Sequence, residues 1–465
     1  MNGKPMNLYA GDNYHFTYDL VVTPLPATLE LPSVWRNQGD LEYTYLFGAT
    51  DDMLVINGDD GRFSGMHDDS SVYAIHRQTG KKLWQIDAGY GRLSMIMGNA
   101  DDSITVYTSF NPEKKVYEDR VRQIRLADGE VLWESKPKGG GEGRFTELRG
   151  AKDSVIIYDR PGLNERSGNL VVLDRTTGEQ KWKRKITGDF RVLNSRADEP
   201  YVLIQEGKLL QARDTNTGRV AWSLKADVAT GQDPQLYPFY AGGPRIDPFA
   251  RDQSLRSWLF HGDQWLLVDL GTGQEIARYP AKAGERFEVL NEQYLLIQRL
   301  LPADSAKSRT ESYESVLYDT AAGRELWTMQ GKASKGVIEG EDLYFVIEGV
   351  PIKAELKTGR VIWKVPVHIS RDLDLSYLAP GSYVVLGDYL LFPYGYDLLV
   401  FGKKDGHMVG RIQDVRMGYA DLREQMARNG VLNVAGDELY AGSANGAFTR
   451  LSVKELERRL KGLER

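Results

Sequence analysis

Short apolar runs separated by polar turns rich in Gly and Asp follow one another along most of this chain, as in Asn169-Leu-Val-Val-Leu173 before Asp174-Arg-Thr-Thr-Gly178. Runs this short, bounded by turn residues on both sides, predict β-strands rather than helices. The punctuation itself repeats. Eight strands run into a Gly turn, and at six of them a Trp follows the Gly by four residues: Trp84, Trp133, Trp182, Trp222, Trp327 and Trp363. The clearest copies are Asp174-Arg-Thr-Thr-Gly178-Glu-Gln-Lys-Trp182, Asp214-Thr-Asn-Thr-Gly218-Arg-Val-Ala-Trp222 and Asp319-Thr-Ala-Ala-Gly323-Arg-Glu-Leu-Trp327. The turns at Gly273 and Gly406 carry Ala277 and Gly410 where the Trp would stand. A unit returning every 36 to 55 residues marks a repeat architecture.

Each unit also has an earlier, acidic or polar turn, near Asp52, Asp102, Asp153, Asp198, Asp252, Glu292, Asp342, Asp388 and Asp437. Asp in such turns bonds its own backbone and tolerates its dihedrals. Two hairpins per unit make four antiparallel strands, the make-up of a propeller blade. The Trp then sits on the outer strand and fills the wedge between adjoining blades. This assigns all six a structural role, each worth on the order of ~3–5 kcal/mol.

The pattern Asp-x-x-Thr-Gly-x-x-x-Trp after a strand such as Leu-Val-Val-Leu resembles the tryptophan-docking repeat of pyrroloquinoline-quinone-type (quinoprotein-like) propellers, over roughly residues 40–453. Single copies depart from it: His76, Arg125 and Gly402 replace the acidic residue four before the Gly. The resemblance implies an all-β, quinoprotein-like β-propeller, which in that family usually has eight blades. The literal count of first turns is nine, and nine blades is the reading preferred. The ninth unit, Val431–Val453, holds only three strands; Leu31-Pro-Ser-Val-Trp35 is expected to supply the fourth and close the ring. Closure also removes exposed sheet edges.

The expected organisation is therefore an N-terminal arm (1–30), one propeller domain (31–453) and a C-terminal helix (452–465) packed on the ring. That helix opens on the capping box Ser452-Val-Lys-Glu455, with Leu456, Leu460 and Leu463 on one face. A second short helix is predicted from Asp421 to near Gly430, with Leu422 and Met426 inward.

At 465 residues the length alone suggests about three domains, a prior that the repeat overrides. Acidic and basic residues are interspersed, and the net charge of −6 comes with no basic stripe, which argues against nucleic acid. The absence of Cys excludes disulfides, thiol catalysis and thiolate metal sites. The N-terminus lacks the apolar core of a secretory signal, and no run reaches the ~20 apolar residues of a membrane helix. The resemblance favours an exported protein with its signal removed; a cytoplasmic one follows if the chain is complete as given. A soluble, bacterial, monomeric protein is expected.

In a four-stranded meander the first and third connections lie on one face of the ring, the second and the inter-blade links on the other. Insertions at 58–70, 111–119, 161–167, 303–314, 226–243, 368–380 and 414–429 all belong to the second class. Loops on a rigid frame are where binding resides, so that face is the candidate binding face. Tyr237, Phe239 and Tyr240 sit on a Pro-stiffened loop there and suit protein or sugar contacts. Asp59, Asp60 and Asp68 cluster in the first insertion, and Arg371 and Asp372 line a polar mouth. Calcium needs six to eight oxygens in a compact cage, and Asp59-Asp-Gly-Arg has no such spacing, so no metal or other cofactor is expected. No catalytic constellation appears: the six His are scattered, and there is neither a phosphate loop nor a nucleophile elbow.

The leading expectation is a non-enzymatic scaffold that binds a protein or polymer. A carbohydrate-binding or polysaccharide-acting propeller is the alternative, with carboxylates paired across the mouth. The resemblance adds a third class, a quinone-dependent dehydrogenase. That family commonly stacks a vicinal Cys disulfide on its quinone, and this chain has no Cys to form one.

Overall fold

The computed structural model describes residues 26, 28–38, 43–59, 70–89, 93–97, 102–137, 145–160, 167–187, 190–194, 199–228, 239–240, 255–280, 282, 285–301, 312–347, 350–365, 384–394, 397–412, 432–441 and 447–463. One blade shows how the sequence builds the unit. Strands Phe145–Ala151, Ser154–Arg160, Ser167–Asp174 and Gln180–Thr187 pair in sequence order, all antiparallel. The run Val155-Ile-Ile-Tyr158 is buried on both faces, because a blade is stacked from both sides. Its third turn is held by Asp174, whose Oδ1 accepts the N–H groups of Thr176 and Thr177 at 2.9 Å each. Gly178 follows with φ 73°, a backbone that a side chain would strain. A bulge between Val172 and Leu173 then sets Val172 opposite Trp182.

The described strands form nine four-stranded antiparallel blades in a ring. Eight are continuous, at 43–87, 93–135, 145–187, 190–225, 239–280, 285–330, 333–364 and 384–412. The ninth combines Leu432–Ala435, Glu438–Ala441 and Ala447–Ser452 with the N-terminal strand Trp35–Gln38, which pairs Trp35 with Arg450. Nine blades thus prevail over the family's usual eight. The closing strand begins where the expected segment 31–35 ends; Pro32 has no N–H for a ladder. Closure is reinforced by charge. Arg77 of blade 1 meets Glu438 of blade 9 at 2.5 Å, and Glu438 also takes Arg450 at 2.9 Å and the Tyr440 hydroxyl at 2.8 Å.

The C-terminal helix spans Val453–Leu463. Ser452 Oγ accepts the Glu455 N–H at 3.2 Å, but the Glu455 carboxylate turns to Arg458 and Arg459, so only half of the capping box forms. Leu456 and Leu460 are buried, whereas Leu463 is 51% exposed because the helix ends there. The second predicted helix, 421–430, lies outside the described residues, as do residues 1–25 of the N-terminal arm. Leu29, near the arm's end, is buried against blade 8, its N–H bonded to the Arg411 carbonyl at 2.7 Å.

The long connections 60–69, 161–166, 226–238, 301–312, 365–383 and 413–431 all leave on one face. Two details differ from the sequence reading. The 111–119 insertion shrinks to a turn at 112–115, because its hairpin zips up to Asn111 and Val116. On the opposite face, the first connection of blade 5 is long, 241–255. The reason is that Phe239–Tyr240 is not loop: it is the first strand of blade 5, paired with Trp258 and Ser257. Aromatic residues favour strands, and Arg256–His261 needs a partner on that side.

If indole docking holds the ring, Trp84→Ala will cost about 3–5 kcal/mol in equilibrium denaturation, and Trp35→Ala will cost as much. A loss below about 1 kcal/mol at either position would place the ring's cohesion elsewhere.

Candidate functional site

Two regions are candidates: the seams between blades and the loop-rich face. At the seams, every Trp singled out by the repeat reaches into the next blade in the same way. Trp84 Nε1 donates to the Leu126 carbonyl at 2.6 Å, Trp133 to Arg175 at 2.8 Å, and Trp182 to Thr215 at 3.0 Å. Trp222 donates to Leu270 at 3.0 Å, Trp327 to Leu356 at 2.8 Å and Trp363 to Lys403 at 3.0 Å. The acceptor is always the residue three before the turn Gly. The indole lies flat on that Gly: a Cβ at Gly178 would come within 2.7 Å of Trp133 Cδ2. Trp35 is a seventh copy, donating to the Arg77 carbonyl at 2.9 Å and covering Gly80. Sequence reading missed its docking role, since Trp35 stands far from the other three strands of its blade. The signal was there in the unpartnered Gly80 turn.

The two seams without Trp are closed differently. Beside Gly410 the space is taken by Leu460 and Leu463 of the C-terminal helix and by Leu29. Between blades 5 and 6 the contact moves two residues along the outer strand, from Ala277 to Tyr279. The Tyr279 ring packs edge-on to Tyr318 and Phe287, at centroid distances of 4.8 and 5.1 Å. Its hydroxyl donates to Glu285 at 3.1 Å, and Glu285 accepts Arg299 Nε at 2.7 Å. Arg299 continues to Glu325. Burial pushes the Tyr279 hydroxyl up to about 12, opposed by the Arg299 hydrogen bond and assisted by the Glu285 charge.

On the loop-rich face, Asp60, Asp68, Tyr237, Arg371 and Asp372 lie outside the described residues. Asp59 ends the strand Met53–Asp59, opposite Tyr43 and Ser70, and Phe239 and Tyr240 are in the strand noted above. The structure does describe a feature of this face that the sequence did not single out. The hairpin of Ser103–Asn111 and Val116–Arg125 carries Val116 (46% exposed) and Tyr117 (56% exposed) at its tip. Phe110 supports Tyr117 edge-on at 5.5 Å. Beside the hairpin a cleft of about 490 Å3 opens towards blade 1, lined by Gln85, Asp87, Phe110, Asn111, Arg120 and Arg122.

The cleft's charges are largely spoken for. Arg120 holds Glu134 at 2.5 Å. Arg122 donates to Thr108 Oγ1 at 3.1 Å; burial, with the Arg120 charge beside it, lowers its pKa. The Asn111 amide and Lys136, each 2.9 Å from the Glu118 carboxylate, hold that group at about 2. These bonds fix the root of the hairpin and leave an apolar tip over a polar cleft, an arrangement suited to contact rather than to proton transfer.

Comparison with known proteins gives one family. A model described as outer membrane protein assembly factor BamB matches residues 117–365. No curated protein matches the chain. Similar solved structures include BamB from Moraxella catarrhalis, 15% identical over 91% of this chain and 100% of that one, with a TM-score of 0.44. Sqt1 from Saccharomyces cerevisiae is 10% identical over 92% and 99%, with a TM-score of 0.43. The quinohemoprotein alcohol dehydrogenase from Comamonas testosteroni is 13% identical over 91% and 76%, with a TM-score of 0.41. At these values the structural likenesses carry no functional argument.

The Tyr279 network generates a pH test. A folded-state pKa raised above the ordinary ~10 means that stability is intact below pH 10 and falls as pH rises through about 12. Titration of the Tyr279 13Cζ signal should give a midpoint near 12, and Tyr279→Phe should lose less stability than the parent between pH 10 and 12. A midpoint near 10 would contradict the buried seam.

Proposed function

The chain belongs to the family of PQQ-type propellers whose model is described as outer membrane protein assembly factor BamB, and on that premise we propose that it is a non-enzymatic scaffold binding a protein partner through its loop-rich face. The observation that carries this reading is the gathering of long connections on one face of a ring whose other turns are almost all tight. A rigid frame with its variable segments on one side presents a broad contact surface at little cost in ordering. The exposed Val116 and Tyr117, braced by Phe110, suit the apolar and aromatic anchors of protein interfaces.

The family description also favours a place outside the cytoplasm, in assembly at a bacterial outer membrane. The chain has no Cys to form the vicinal disulfide that commonly stacks on the quinone in quinone-dependent dehydrogenases, which supports the non-enzymatic reading.

A photo-crosslinking residue at Tyr117 should trap one discrete protein in envelope extracts of the native host, while the same residue at Thr176, on the opposite face, should not trap that protein. Equal trapping at both positions, or none at Tyr117, would contradict the assignment of the face. Dye-linked alcohol oxidation with added quinone and calcium would overturn the non-enzymatic reading.

A further inference from the structure

The seam between blades 5 and 6 differs from the others in what it leaves open. Seven turn glycines, Gly80, Gly129, Gly178, Gly218, Gly273, Gly359 and Gly406, each lie under an indole, and all are buried or half-buried. Gly323 is exposed, and among the described residues nothing comes within 4 Å of a Cβ built on it.

The turn at Gly323 shares the left-handed glycine, the Asp anchor and the bulge of the occupied seams, though not their bond from the Gly N–H to the carbonyl four residues earlier. Its φ is 63°, a few degrees below the 69–77° of the seven occupied turns. Asp319 Oδ1 accepts the N–H groups of Ala321 and Ala322 at 3.0 and 3.1 Å, as Asp174 does in blade 3. The bulge recurs too, with Leu317 opposite Trp327 and Tyr318 opposite Glu325. The carbonyl three before the Gly belongs to Thr320, and among the described residues no group donates to it. At the repeat position where an indole would stand, the outer strand of blade 5 carries Ala277. Tyr279, which closes this seam, does so two residues further along the strand, towards the loop-rich face, and does not fill this end.

We propose that this notch is a preformed slot for a tryptophan side chain presented by a protein partner. The occupant is identified by the molecule's own seven examples: a flat ring lying on the Gly and an N–H directed at the carbonyl three residues earlier. It must come from another molecule. All nine Trp of the chain are described: seven are docked, and Trp258 and Trp265 are buried within blade 5. A partner indole would bury a large flat surface and satisfy its one polar atom at once, the combination that makes Trp a strong interface anchor. The slot lies at the end of the seam opposite the loop-rich face, so it stands independently of the function proposed above.

The probe is N-acetyl-5-fluorotryptophan amide, followed by 19F NMR line width against the full-length chain. Broadening should occur with the parent protein, disappear in Ala277→Trp, and persist in Tyr117→Ala, which alters only the loop-rich face. Ala277→Trp should also raise the melting temperature by a few degrees as the eighth indole docks. Should that variant fail to fold, Ala277→Glu, which sets a charge in the slot, should abolish broadening in the same way. No broadening with the parent, or broadening unchanged in the Ala277 variants, would overturn the proposal.

Discussion

An indole N–H donated across a seam to the carbonyl three residues before a glycine is the interaction on which this ring depends. A single four-stranded blade is apolar on both faces and cannot bury them alone. Stacking buries them, but apolar stacking has no preferred register. The indole supplies one, because its ring fits only over a residue without a side chain and its N–H has only one carbonyl in reach. The Gly and the Trp are thus halves of one contact, carried by neighbouring units. The same contact closes the ring: Trp35 docks on Gly80 with the geometry of the six internal copies, and Arg77, Glu438 and Arg450 add a charged clasp beside it.

Much of this architecture was legible because the contact is written twice in most units. The turn is marked by Asp and Gly and the wedge by Trp four residues on, so blades could be counted from punctuation alone. The count of nine survived because it rested on the acidic first turns, which need no partner from another blade. What escaped notice depended on distant chain segments. Trp35 has no Gly turn of its own upstream, since the strands it completes lie at the other end of the chain. Phe239 and Tyr240 read as loop aromatics because only two residues pair, too few to show a strand period. Ala277 looked like a simple loss, yet Tyr279, two residues on and facing the same side, takes over the seam with Tyr318, Phe287 and the Glu285–Arg299 pair.

The same physics separates frame from function. Side chains that hold blades together are engaged by their neighbours and have little left to offer a ligand. Most of the residues picked out for binding lie outside the described part of the loop-rich face, and the described contact surface there, Val116 and Tyr117 over the blade 1–2 cleft, comes from a hairpin whose strands outrun their neighbours. The two seams lacking Trp are equally instructive. One is filled by the C-terminal helix and Leu29, the other leaves its glycine bare. A repeat protein can turn a structural contact into a binding one by dropping half of it.

Hydrogen exchange of the indole N–H groups, resolved with 15N-labelled tryptophan, tests the central claim most directly. The account predicts that the Trp35 indole is protected from exchange to the same order as those of Trp84 and Trp327, since all three are bonded to a carbonyl of the next blade. Rapid exchange at Trp35 beside slow exchange at Trp84 would mean that the N-terminal strand does not close the ring.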